Sequence, residues 1–277
     1  MKEPLLNKIT KAAILRAVDR QPHAILLTGE TGTGLTTIAE YLELLLRKNN
    51  GDLVKLIIKP EDKSTITIEQ VRELRTVAKH KNTADSNDIR VMVVISSIDD
   101  MQQEAQNALL KMLEEPPAGL LFVILCHDQS SMLSTIESRC IKIPVLPVTQ
   151  DEASDYFKIS HTELNKNFAI TGGIPGLLVQ LVNNSEHPIL EDIAAAKLIL
   201  GSSTYQRLAL VDSLYKTNES AKKLITALDK ICHAALKNGS QNDKWINNSL
   251  MILSAKEKLN AHVQAKLVVD ELLISLR

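Results

Sequence analysis

The sequence predicts a parallel α/β domain followed by an all-helical half, and three observations lead to that class. The chain has 277 residues, of which 44% are hydrophobic and 23% charged, as in a folded protein of two or three domains. Short continuous apolar runs separated by helical stretches fill the chain up to about residue 149, a pattern typical of parallel strands covered on both faces. Helical periodicity alone follows, at residues 189–200, 205–215, 219–237, 245–259 and 264–276.

Five apolar runs are predicted to form the strands of the sheet, at residues 24–28, 53–58, 91–95, 120–125 and 141–145. The longest run, 120–126, has seven residues, whereas a membrane helix needs about 20. We therefore expect a buried strand there and no membrane association. The turn sequence G-G-I-P-G at 172–176 and the polar N-S-E at 184–186 divide the helical half. The predicted domains are 1–149, 150–185 and 186–277.

Composition excludes several classes of function. The 32 basic and 33 acidic residues give a net charge of -1, so any contact with DNA is local or shared with partners. Aromatic residues make up 3%, too few for a platform that stacks single-stranded bases. The three cysteines, Cys126, Cys140 and Cys232, form no C-x-x-C pair, so the sequence supports neither a disulfide framework nor a zinc ribbon. Since the first residues also lack a secretory signal, we expect a cytoplasmic protein.

The first candidate site is a glycine-rich loop, G-E-T-G-T-G-L-T-T at residues 29–37, between a strand and a helix. Its spacing is that of the phosphate-binding motif G-x-x-x-x-G-K-[ST], whose backbone amides hold a triphosphate. Leu35 stands where the motif has lysine, so the cation that reaches the β and γ phosphates is absent. The loop is therefore either a turn without a ligand or a weak nucleotide site. Its motif positions are Gly29, Gly32, Gly34, Leu35, Thr36 and Thr37.

A second candidate site follows the strand at 91–95. A phosphate-loop ATPase usually carries Asp and Glu here, for magnesium and for the attacking water, but this chain has Ser96 and Ser97. Neutral hydroxyls attract Mg²⁺ weakly and are poor bases near pH 7. We interpret the later Asp99 and Asp100 as caps of the next helix rather than as magnesium ligands. The sequence thus predicts no metal site and no hydrolytic centre within the chain.

Two further motifs give the chain a family resemblance. N-A-L-L-K-M-L-E-E-P-P at 107–117 lies on an amphipathic helix that the prolines end, and S-R-C at 138–140 precedes the last strand. Together with the loop and the strand ending at Ile95, this ordered set resembles the AAA+ clamp-loader subunits of bacterial DNA polymerase III. The resemblance covers nearly the whole chain, weakly over 186–250. It is strongest to members whose phosphate loop and acidic strand are degenerate.

The resemblance implies an architecture, a role and a set of partners. It implies an AAA+ P-loop domain at 1–149, a helical lid at 150–185 and a helical collar at 186–277 that mediates oligomerisation. It also implies that Arg139 acts in trans as an arginine finger on ATP bound by a neighbouring subunit. The alternative is that Arg139 is an ordinary solvated or salt-bridged residue. The implied partners are the ATPase motor and delta-type subunits, the sliding clamp and primer–template DNA reached through the assembly.

Departures from the family pattern define what is not expected. The four zinc-binding cysteines of many members are absent from residues 46–54, so we expect no zinc. Leu177 replaces an arginine of the lid, and C-H-D at 126–128 replaces a polar sensor. No cofactor is required, and ATP or ADP binding is weak or absent. Two other functions stay open: an active clamp-loader ATPase, and an AAA+ module that senses nucleotide or DNA in repair.

Overall fold

A computed structural model describes residues 2–60, 65–81, 89–184, 187–214, 217–237, 243–261 and 263–277. The five apolar runs form one parallel sheet with strand order β2-β3-β4-β1-β5, as the sequence predicts. Because all strands run in one direction, their carboxyl ends meet at one edge, where ligands of such sheets bind. The strands are β1 Ala24–Thr28, β2 Val54–Ile58, β3 Val91–Ile95, β4 Leu120–Cys126 and β5 Ile141–Pro144.

The helices also follow the predicted pattern, and the second half is helical throughout its described residues. Three predicted positions, Ser185 and Glu186 at a domain boundary and Tyr215 at a helix end, lie outside the described residues. Every helix among the described residues is too short or too polar to span a bilayer. The helices are α1 Lys8–Arg20, α2 Leu35–Asn50, α3 Ile68–Lys81, α4 Gln103–Glu114, α5 Ser134–Glu137, α6 Gln150–Phe157, α7 His161–Thr171, α8 Pro175–Asn183, α9 Ile189–Gly201, α10 Thr204–Leu214, α11 Asn218–Lys237, α12 Asp243–Asn260 and α13 Ala265–Ser275.

The sheet is covered on both faces, which explains why its central strands are continuous apolar runs. Every residue of β1, β3 and β4 is buried. Successive side chains of a strand point to opposite faces, so Phe122 joins the apolar cluster with α3 and α4 while Val123 joins the cluster with α1 and α2. The two helical layers leave the carboxyl edge of the sheet as the place for polar residues.

The chain divides into two compact units. We call residues 1–159 with 174–177 the sheet unit, and residues 160–173 with 178–277 the helical unit. The first residues of α8 therefore belong to the sheet unit and the rest of that helix to the helical unit. The predicted three domains with limits at 149 and 185 stay a prediction.

The helical unit contains a buried arginine that joins helix ends. Arg207 is 5% exposed, and its guanidinium donates to the carbonyl oxygens of Ile199 at 2.8 Å and Leu276 at 2.6 Å. Burial lowers the pKa of this side chain. Because carbonyls at helix carboxyl ends carry partial negative charge, they compensate a cation without any carboxylate. Arg207 thus fastens α9 and α13 to α10.

Candidate functional site

The phosphate loop follows β1 and is folded by its own residues. The backbone amide and Oγ1 of Thr33 both donate to the carbonyl of Glu30, at 3.0 Å and 2.7 Å. Thr33 is buried, and Gly32 and Gly34 have φ values of +94° and +83°. Glycine occupies this left-handed region without the steric cost of a Cβ. The turn therefore keeps its shape through internal hydrogen bonds.

The amides at the start of α2 remain free to bind an anion. Ile38 is the first residue of this helix whose amide donates backwards, to Gly34 at 3.0 Å. Among the described residues, no acceptor bonds the amides of residues 34–37. Thr36 and Thr37 are also exposed. Free amides at the positive end of a helix favour negative charge, so the part of the motif that uses backbone atoms is present.

Leu35 supplies the reason why the loop carries no countercharge. Its side chain is 2% exposed and packs in the apolar cluster that includes Ile38 and Leu42. The position that in the motif extends a lysine over the phosphates here contributes to the core of the sheet unit. The side chain that replaces the cation is therefore directed away from the loop.

We expect Leu35→Lys to leave the chain without ATP hydrolysis and to lower its stability by about 3–5 kcal/mol, because an uncompensated ammonium enters an apolar site. Hydrolysis stays absent because Ser96 and Ser97 provide no carboxylate. Magnesium-dependent ATP turnover and urea unfolding measure the two effects. Leu35→Met, which conserves volume, serves as the control and should change stability by less than about 1.5 kcal/mol. Turnover by Leu35→Lys would contradict the assignment.

The first turn of α8 packs directly on the phosphate loop. The amide of Leu177 donates to the carbonyl of Gly32 at 2.7 Å. A Cβ added to Gly176 would lie 2.6 Å from that same oxygen and 3.0 Å from the amide nitrogen of Gly34. Both neighbours are backbone atoms that cannot rotate away. Only glycine therefore allows this approach. The sequence predicts either a weak nucleotide site or a turn without a ligand at this loop, whereas in the structure the start of α8 contacts it.

Asp99 organises the polar edge of the sheet beside the loop. It accepts hydrogen bonds from the amides of His127 at 2.8 Å and Asp128 at 2.9 Å, and from Ser131 Oγ at 3.3 Å. Ser97 Oγ lies 3.4 Å from the same carboxylate. These donors come from the segments after β3 and β4. Asp99 thus joins two strand ends.

The predicted capping role of Asp99 and Asp100 is wrong. The helix α4 begins at Gln103, and its N-cap residue, Gln102, makes no side-chain capping bond. The two aspartates lie too far ahead of the helix to reach its first amides, and Asp99 instead bonds the amides after β4. The sequence indicates the adjacent helix, but it does not indicate that Asp99 bonds residues 126–131, which lie 27 or more positions further along the chain.

We expect Asp99→Asn to lower the free energy of unfolding by about 1–3 kcal/mol. Both carboxylate oxygens accept backbone amides, so an amide NH₂ at either position would face an N–H group. Urea unfolding checks this. Asp100→Asn is the control, since Asp100 is exposed and makes no side-chain hydrogen bond within the described ranges; it should change stability by less than about 0.5 kcal/mol. Equal stability of the two variants would contradict the role of Asp99.

His127 and Cys126 complete the link between β4 and the loop. The amide of Gly29 donates to the carbonyl of Cys126 at 3.1 Å, and Nδ1 of His127 lies 2.9 Å from the carbonyl of Gly29. Burial, with a smaller effect of the nearby Asp99 carboxylate, raises the pKa of the Cys126 thiol to about 12. Burial also raises the pKa of Cys140 to about 12. Both side chains are therefore neutral thiols near pH 7 and have low nucleophilicity.

Arg139 lies in a separate polar cluster. Its Nη1 donates to the carbonyl of Thr135 at 2.9 Å and lies 3.3 Å from Ser138 Oγ, and its Nη2 donates to Glu114 Oε1 at 2.7 Å. The Arg139 side chain is 34% exposed. None of its hydrogen bonds among the described residues goes to the phosphate loop. Arg139 is thus both solvated and ion-paired, and sequence reasoning missed its partner.

A cavity of about 270 Å³ lies between α3 and α4. It is lined by side chains of these two helices and not by the phosphate loop, so this cavity is separate from the candidate site. The lining residues are Ile68, Val71, Arg72, Glu104, Asn107, Ala108, Lys111 and Met112.

The sheet order, the phosphate loop after β1 and the following helices define a P-loop α/β fold of the AAA+ type. The chain shares this fold with a DNA polymerase III gamma subunit-related protein from Thermotoga maritima. The two superpose with a TM-score of 0.54 at 19% identity, over 96% of this chain and 97% of the other.

Within this class, the sequence is similar to subunits of bacterial DNA polymerase III. Residues 44–149 match the family described as DNA polymerase III, delta subunit. The delta prime subunit of Pseudomonas aeruginosa is 30% identical over 142 residues, which cover 43% of this chain and 42% of the relative. That of Yersinia pestis is 38% identical over 98 residues, or 35% and 27%. The chain thus aligns with less than half the length of either relative, and the resemblance to delta prime subunits is confirmed.

Proposed function

We propose that this chain is a non-hydrolysing scaffold subunit of a DNA polymerase III clamp loader, and that it supplies Arg139 to the ATP site of a neighbouring subunit. The observation that carries the proposal is the burial of Leu35 at the cation position of the phosphate loop. The confirmed resemblance to delta prime subunits supports it. The assembly would place a sliding clamp on primer–template DNA in the cytoplasm.

The chemistry of ATP hydrolysis supports a passive role for the chain's own loop. Phosphoryl transfer needs a cation on the phosphates, a metal ion and a group that orients water. Leu35, Ser96 and Ser97 are neutral at the three corresponding positions. The nearby Asp99 already accepts several hydrogen bonds. The free amides at residues 34–37 attract an anion, but the start of α8 packs on the loop. We therefore propose that the chain binds nucleotide weakly or not at all and has no resident cofactor.

Arg139 has the properties of a group that acts on another subunit. A guanidinium is permanently charged and can bind two oxygens of one phosphate at once. The side chain is partly exposed just after the end of α5, so a neighbouring chain could contact it. Its charge would stabilise the transferring phosphoryl group, the step that an arginine finger accelerates.

The helical unit has a surface suited to contact with other subunits. Ile246, Leu250 and Leu253 are 46%, 55% and 53% exposed. Their spacing of four and three residues places them on one face of α12. Exposed apolar side chains that share a face are typical of protein interfaces. We assign this face to the proposed collar, which would pack with the motor and delta-type subunits.

Co-expression with the motor and delta-type subunits tests the proposal. Native mass spectrometry should show a hetero-oligomer that contains this chain, with no nucleotide bound to the isolated chain. The isolated chain should hydrolyse no ATP above background in the presence of magnesium. Brisk turnover by the isolated chain would indicate an active ATPase, and failure to assemble would indicate a sensing module outside the clamp loader; either result would overturn the proposal.

A further inference from the structure

We propose that Glu114 is a positioning residue for Arg139: it holds the guanidinium in the orientation from which it reaches a phosphate of the neighbouring subunit. This inference rests on the proposed function. The two residues belong to motifs that are 25 positions apart, E-E-P-P and S-R-C, and the fold brings them to 2.7 Å between Nη2 and Oε1. The contact gives the first motif a role that the sequence alone does not reveal.

The guanidinium is held from two sides. Glu114, the last residue of α4, accepts from Nη2, while the carbonyl of Thr135 and the hydroxyl of Ser138 accept from Nη1. An arginine has five N–H donors. Its Nε–H bonds no acceptor within the part of the chain that is described. The side chain is thus oriented in advance and still keeps donor capacity for a phosphate oxygen.

Helix stability does not explain an acidic residue at this place. Glu114 ends α4 and Glu115 is its C-cap residue. The carboxyl end of a helix carries partial negative charge, so carboxylates are unfavourable there. Glu115 has no side-chain hydrogen bond among the described residues, whereas Glu114 pairs with Arg139. Lys111 also lies in this last turn, but the cation that contacts the Glu114 carboxylate is the proposed finger.

The ion pair between Glu114 and Arg139 is strong enough to orient the guanidinium but too weak to hold it away from a phosphate. The two side chains are 34% and 51% exposed, and exposed ion pairs are weak because solvent screens them. Such a pair cannot keep the arginine from a phosphate, which carries more negative charge. It can select one rotamer of a long flexible side chain, so that less conformational entropy is lost when the phosphate is bound.

The test is the ATP turnover of the reconstituted loader with Glu114→Ala. We expect kcat to fall about 3- to 10-fold with the KM for ATP unchanged, because the finger acts in the transition state. Glu114→Gln, which keeps an acceptor oxygen, should recover part of the loss. Glu115→Ala is the matched control: it removes the same charge one residue away and should leave kcat within about twofold of the unaltered assembly.

A cycle with Arg139→Ala separates this inference from the proposed function. In the Arg139→Ala background, Glu114→Ala should cause no further loss, because there is no finger left to orient. The inference fails if Glu114→Ala raises or does not change kcat, if it acts equally in both backgrounds, or if it melts well below Glu115→Ala. The proposed function itself fails if Arg139→Ala leaves turnover undiminished. The two failures are thus read from different variants.

Discussion

Replacing Arg139 with alanine is expected to slow ATP turnover at the neighbouring site by about 10³-fold, the lower range for loss of an arginine finger. In the proposed role the guanidinium neutralises charge that develops on the transferring phosphoryl group, and alanine offers no substitute. The fold should be retained, because the ion pair with Glu114 is exposed and contributes at most about 1 kcal/mol. Steady-state turnover of the reconstituted loader and thermal melting of the isolated chain measure the two effects.

Arg47→Ala is a matched control for this variant. Arg47 also pairs with a glutamate, Glu43, at 2.9 Å and is 44% exposed. Its removal should leave turnover unchanged. Arg139→Lys should recover part of the loss at most, since a lysine keeps the charge but not the planar fork. A loader that contains Arg139→Ala, assembles fully and turns over ATP at the normal rate would refute the finger.

Gly176→Ala is expected to destabilise the sheet unit by about 2–3 kcal/mol, in the range of overpacked sites. The added methyl would meet the carbonyl of Gly32 at 2.6 Å and the amide nitrogen of Gly34 at 3.0 Å. Backbone atoms cannot turn aside, so the first turn of α8 has to shift and its bond from Leu177 to Gly32 is strained. The midpoint of urea unfolding and hydrogen exchange at Leu177 measure the change.

Gly201→Ala separates this steric effect from the general effect of a glycine substitution. Gly201 is the last residue of α9, and a Cβ there meets no atom within 4 Å. Alanine has the higher helix propensity, so stability should stay equal or rise by up to about 1 kcal/mol. If Gly176→Ala unfolds at the same midpoint as Gly201→Ala, α8 does not pack on the loop as described.

The sheet could be predicted from the sequence because a strand that is buried on both faces consists of consecutive apolar residues. The run at Val91–Ile95 agrees with β3 at both ends, and that at Ala24–Thr28 agrees with β1. The elements of the helical half are predicted by period, although their packing is not. Arg207 shows why, since its acceptors at Leu273 and Leu276 are more than sixty positions away.

The candidate site could be predicted only where its chemistry lies within one short segment. Leu35 and the serines after β3 show the missing charges directly. The contacts from Glu114 to Arg139 and from Gly176 to Gly32 join segments that are distant in the sequence. The residues around each position do not indicate which distant segment it contacts. Glycine permits a close backbone approach, but the sequence places Gly176 only in a turn and does not indicate which segment approaches it.

The burial of Leu35 also affects how easily the loop can acquire a charge by mutation. The residue is part of the core that includes Ile38 and Leu42, so a change to lysine loses packing at once. The same mutation supplies only one of the three groups that hydrolysis requires. Selection for a stable fold therefore opposes that single substitution, because its cost in packing comes before any gain in chemistry.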